Sequence, residues 1–135
     1  MGGDDVYTPD VLKNGKQTAG MVVAVPWDIA SNQMSDFPHH SKELWGKNDV
    51  NWRTALSYDA TKALIAALAH NPTRLGIQQY LSSSFKATGA SGNIRFSASG
   101  DRTNATIQLV KVVPAPHFST GYDFVPVEAV PAASP

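Results

Sequence analysis

The chain has 135 residues, 42% of them apolar, enough for the core of one domain of ordinary size and too many for a disordered chain. Lys plus Arg number 11 and Asp plus Glu number 11, so the net charge is zero and the basic footprint of a nucleic-acid-binding protein is absent. With no cysteine there are no disulfides, thiolate metal sites or thiol nucleophiles, and no run of 18 apolar residues could span a membrane.

Met1-Gly2-Gly3 runs straight into Asp4-Asp5 with no signal-peptide pattern. Thr8 and Pro9 predict a short helix, with Thr8 as N-cap, Pro9 at its first position, Val11 and Leu12 inward, and a stop at Asn14-Gly15. Gly20 to Pro26 is continuously apolar and β-branched, as in a strand covered on both faces, and Pro26 ends it. Phe37-Pro38-His39-His40 reads as a loop or the start of a helix, and Ser41 to Trp45 as one or two helical turns closed by Gly46.

The clearest helix is 49–70, with Asp49 as its cap and Trp52, Leu56, Ala60, Ala63, Leu64, Ala67 and Leu68 at helical spacing. On this reading Leu64 and Leu68 are core positions. Asn71-Pro72 stops the helix, and Thr73 caps a second one with Leu75, Ile77, Tyr80 and Leu81 inward and Phe85 near its end. Residues 86–92 read as a loop, 93–97 as a strand with Ile94 and Phe96 on one face, 99–102 as a turn, and 105–113 as a further strand. Tyr122, Phe124 and Val125 mark one more short strand, and 129–135 read as a frayed end. The order is α/β with hairpin character, and it has too few strands for a complete parallel sheet.

No GxGxxG, phosphate-binding loop, HExxH or GxSxG occurs. His39-His40 suggests metal, yet neighbours in sequence point apart on most backbones and no ligand cluster is evident; a loop pair is the simpler reading. Ser82-Ser83-Ser84 with His117 and Asp123 lacks a nucleophile elbow, and a helix C-terminus explains the serines. Asp101-Arg102 reads as a turn with a surface ion pair.

Five segments together resemble one family. Gly20-Met21-Val22-Val23-Ala24-Val25-Pro26 is similar to the "EGM-hydrophobic-Pro" strand of type I periplasmic binding proteins, the solute receptors of branched-chain amino acid ABC transporters. Tyr58 to Leu68 resembles their "YDA…LLAxAL" helix, and Gly89 to Phe96 their "GxxGxxxF" segment. Gly100-Asp101-Arg102 resembles the "GD" turn, and Ile107 to Val113 the closing strand.

The resemblance implies a fold of two α/β lobes joined by a three-stranded hinge, which close over a ligand in the cleft. It implies that this chain is the C-terminal third of such a Rossmann-like receptor, with Met1 a fragment start, residues 1–113 the end of the ligand-binding domain and 114–135 a closing strand and tail. It further implies no catalysis, no cofactor, an amino acid or similar small polar ligand, and a transporter permease or sensor as partner. The location would be periplasmic or extracellular, and as a fragment the chain would self-associate.

Family members hold the ligand ammonium with an acidic residue near a Gly-rich strand end. Gly2-Gly3-Asp4-Asp5-Val6-Tyr7 matches that segment, with Asp4 first, Asp5 second and Tyr7 beside them. Trp52 or Tyr58 matches an aromatic near the hinge, although their helical positions favour core packing. Two readings of other classes stand beside this one: an α/β enzyme or regulatory domain, and a self-associating interaction domain with no ligand site of its own.

Overall fold

The computed structural model describes residues 1–32, 35–46 and 50–127. In chain order its elements are α1 (Pro9–Lys13), β1 (Val22–Val25), α2 (Phe37–Trp45), α3 (Trp52–His70), α4 (Arg74–Ser83), β2 (Ala87–Gly89), β3 (Gly92–Phe96), β4 (Arg102–Thr103), β5 (Gln108–Pro114) and β6 (Tyr122–Pro126). They divide into two units: Met1–Ser31 with Ile107–Pro135, and Asn32–Thr106.

The first unit is a three-stranded sheet of order β1-β5-β6, antiparallel throughout. Val23 lies opposite Val110 and Val112 opposite Phe124. Those residues and Val25 form a fully buried cluster, with Val6, Tyr7, Val11, Leu12, Met21 and Tyr122 packed on it. Val11 and Leu12 therefore face inward as the sequence predicts. The β1 strand is less symmetric than its composition suggests. Val23 and Val25 are buried while Val22 and Ala24 are half-buried, the alternation of an antiparallel strand with one deep face. Its tight pairing with β5 replaces the parallel neighbours expected for a strand buried on both faces.

The second unit packs α3 and α4 on the small sheet β2-β3-β4. Its core holds Ala63, Phe85 and Ile94, joined by Ala66, Tyr80, Leu81, Ala87 and Phe96. Gly46 ends α2 in the left-handed conformation, as expected. The predicted cap Asp49 lies outside the described residues; the observed cap of α3 is Asn51, whose side chain accepts the Arg53 and Thr54 amides at 2.9 and 3.4 Å. Thr73 caps α4 through Gly76 N at 3.0 Å, as predicted.

Three expectations are corrected here. The buried stripe of α3 is Ala55, Asp59, Ala63 and Ala67, at a spacing of four, whereas Leu64 and Leu68 are 49% and 48% exposed. Alanine at those positions lets the helix backbone approach its neighbours closely, and the larger residues are carried to the other side. On α4, Gly76 is buried and Leu75 is exposed, for the same reason. Residues 86–92 are a hairpin rather than a loop, with Ala87 opposite Ile94 and Gly89 opposite Gly92. The frayed end expected at 129–135 lies outside the described residues.

Candidate functional site

The acidic segment at the start of the chain is held against β1. Gly2 runs alongside Val23, donating to Val22 O at 2.9 Å while its carbonyl accepts the Ala24 amide at 3.0 Å. A side chain on Gly2 would come within 2.5 Å of Val6 and 2.8 Å of Met21, so glycine permits this contact. Asp4, Asp5 and Val6 then form a single 3-10 turn, with Asp4 half-buried and Asp5 exposed.

Tyr7 fixes the end of that turn. Its ring packs on Phe124 with centroids 4.5 Å apart, and its hydroxyl donates to Asp28 Oδ1 at 2.7 Å. Asp28 lies three residues beyond β1, after Pro26 and Trp27, and is 1% exposed. Its other oxygen accepts the Ser31 amide at 3.0 Å and the Ser31 hydroxyl at 3.1 Å, and its own amide donates to Gln108 Oε1 at 2.6 Å. Burial, then the neighbouring Asp28 charge and hydrogen bond, push the Tyr7 phenol above its ordinary pKa.

A neutral Tyr7 is thus part of the folded state. Its raised pKa contributes stability that is complete below the unfolded value of 10.0 and is lost as pH rises past it. Chemical denaturation between pH 8 and 11 should show this loss in the native chain and a flatter profile in Tyr7→Phe. At neutral pH Tyr7→Phe should cost about 1.5–3 kcal/mol, because a buried carboxylate loses a donor. Equal alkaline slopes in the two proteins would exclude this role.

The structure brings Asp4, Asp5 and Tyr7 together in the first unit. Trp52 and Tyr58 belong to the second unit and are six positions apart on α3, hence on different sides of it. Trp52 lies beneath the Arg53 guanidinium, 4.3 Å from the ring centroid; Tyr58 packs on Phe37 at 5.0 Å. Asp28 carries little signal in the sequence: an acidic residue two positions after the proline that ends a buried strand.

Asp59 lies within the Tyr58 to Leu68 segment, and the resemblance gives it no role. It is 3% exposed and its carboxylate closes the β2–β3 turn, accepting the Ala90 amide at 2.6 Å, the Ser91 amide at 3.0 Å and the Ser91 hydroxyl. An acidic residue on a stripe of alanines is a signal that the sequence does carry. Arg102 donates to Ser91 Oγ at 2.8 Å and to the Ser91 and Asn93 carbonyls, so it braces this hairpin instead of pairing with Asp101. Asp101 accepts the Ser99 hydroxyl at 2.7 Å.

No described feature assembles a nucleophile. The Ser82 and Ser83 hydroxyls donate to the Gln78 and Gln79 carbonyls of their own helix, as helix-end serines do. A hollow of about 200 Å³ between Gln78, Leu81, Ser82, Phe96 and Ser99 contains none of the predicted site residues.

No protein-family model matches the chain, and no curated protein matches it. Solved structures do. The leucine-binding protein LivK of Thermotoga maritima superposes with a TM-score of 0.71 and 25% identity, over 91% of this chain and 35% of its own. An ABC transporter substrate-binding protein of Desulfitobacterium hafniense, solved with Leu, superposes with a TM-score of 0.55 and 22% identity, over 80% of this chain and 32% of its own. The chain therefore spans about a third of the length of either neighbour, and both are named as binding proteins rather than enzymes.

Proposed function

We propose that this chain, which has part of the type I periplasmic-binding-protein fold, serves as one portion of an extracytoplasmic receptor for an amino acid. The observation that carries the reading is the match to leucine-binding LivK over 91% of the chain. Asp4 takes the ligand ammonium through a charge-assisted hydrogen bond, with Asp5 as its neighbour on the same turn. Tyr7, tied to Asp28, holds that turn in place. The rest of a two-lobed fold supplies the groups for the carboxylate, and the closed receptor presents itself to an ABC permease or a sensor. Its place of action is the periplasm or the cell exterior.

Calorimetry on a protein joining this chain to the remainder of such a fold tests the assignment. Asp4→Ala should weaken leucine binding tenfold or more. Unchanged affinity would remove Asp4 from the site and make Asp5 the next residue to replace.

A second reading rests on a separate observation. Leu64, Ile65 and Leu68 of α3 and Leu75 of α4 are all between 48% and 62% exposed. Apolar faces of this kind recruit partners, and a second copy of the chain is the partner always present. Light scattering of the 135-residue chain should then report a dimer or larger, and Leu64→Ala with Leu68→Ala should shift it to monomer. A monomer at high concentration removes this reading.

A further inference from the structure

The geometry points to a surface site for a divalent transition-metal ion on α2, formed by His39, His40 and Glu43. This goes beyond receptor function and does not depend on it. His39 and His40 belong to a nine-residue helix, not to a loop, and that changes what adjacency means. Successive side chains of a helix are about 100° apart around its axis, so the two imidazoles diverge. Glu43 follows His39 by four positions and His40 by three, so it projects from between them. The carboxylate is the bridging member that a loop would not supply.

One ligand atom from each of the three residues, an imidazole nitrogen or a carboxylate oxygen, lies within 4.8 Å of the other two, and His39 Nδ1 is 3.6 Å from Glu43 Oε1. Donors bonded to one ion at about 2.1 Å in a tetrahedron are about 3.4 Å apart. The remaining distance is within reach of side-chain rotation, because all three are exposed. The opposite side of α2 is anchored by buried Phe37 and Ser41, so the ligands turn while the helix stays. Two imidazoles and one carboxylate suit Zn²⁺, Cu²⁺ or Ni²⁺ over Mg²⁺ or Ca²⁺, which prefer all-oxygen sets. Three protein ligands leave positions for water, so the site is open and binds more weakly than a closed four-ligand site.

Titration of the tag-free chain with ZnSO₄ tests the site, with Cu²⁺ paramagnetic resonance as a second readout. One ion per chain should bind. His39→Ala and His40→Ala should each weaken it tenfold or more, and Glu43→Gln should also weaken it. His70→Ala and His117→Ala, which change the two other histidines, should have no effect. The Cu²⁺ spectrum should show two coordinated nitrogens, and one in either His39→Ala or His40→Ala. Equal circular dichroism melts of the variants would confirm that all of them fold. Absence of saturable binding, or full affinity in the His39→Ala/His40→Ala double variant, would overturn the proposal and leave a helix-surface His–Glu pair only.

Discussion

Replacement of Asp59 by alanine is expected to cost about 3–5 kcal/mol and to melt the second unit first. The carboxylate is the acceptor for two backbone amides and a hydroxyl in the β2–β3 turn. Ala90 is 4% exposed, so its amide is poorly placed to gain water when the acceptor is removed. Each orphaned amide costs about 1–3 kcal/mol, and hydrogen bonds to a charged acceptor lie at the upper end. A whole domain has about 5–15 kcal/mol to lose. At about 4 °C per kcal/mol the midpoint should fall by on the order of 10–20 °C. Asp59→Asn keeps one acceptor oxygen and should lose about half as much. Thermal melts with hydrogen exchange would decide, and a loss below about 1 kcal/mol in Asp59→Ala would mean the turn holds itself. Gly89 belongs to the same design. A side chain there would press into the Asp59 carboxylate and come within 2.7 Å of Ile94, so the turn can approach the helix only with glycine.

Alone, the 135-residue chain is expected to bind leucine no better than millimolar. Asp4 is half-buried and Asp5 exposed, on one short turn. An exposed charge contact is worth about 0–1 kcal/mol, whereas a millimolar dissociation constant already needs about 4 kcal/mol. Sites that bind small molecules well bury most of the ligand surface. The chain spans 35% of the length of LivK, so most of the surface that would enclose a ligand belongs to the rest of such a fold. Calorimetry with leucine, isoleucine and valine checks this. Micromolar binding by the chain itself would show a self-contained site and would overturn the shared-cleft reading.

Much of the element order is legible in the sequence, and the reasons are local. The β1 strand is a β-branched run between Gly20 and Pro26. The α4 helix carries its own cap at Thr73, and α3 ends before Pro72. The face that α3 buries is not legible in this way. Apolar residues occur on all its sides, so periodicity alone cannot choose between the alanines and the leucines. The β2 strand reads Ala-Thr-Gly, a turn composition, and its pairing is fixed by Asp59 some 31 positions earlier. The run Gly2 to Tyr7, with Asp4, Asp5 and Tyr7, stands out in the sequence by resemblance alone. Asp28 does not, because its partners Tyr7 and Gln108 lie 21 and 80 positions away.

The second unit interrupts the first: its residues lie between the two segments that share the β1-β5-β6 sheet. Asp28 and Gln108, bonded at the end of that sheet, are 80 positions apart. Bringing such distant ends together in a slack chain costs about 4 kcal/mol in loop entropy, and an insert that folds on its own shortens the slack and lowers that cost. Collapse of residues 32–106 thus acts as a built-in splint for the sheet. Damage to the insert is transmitted as a longer search by β1 for β5, so exchange protection in Asp59→Ala should fall at Val110 and Val112 as well as at Ile94.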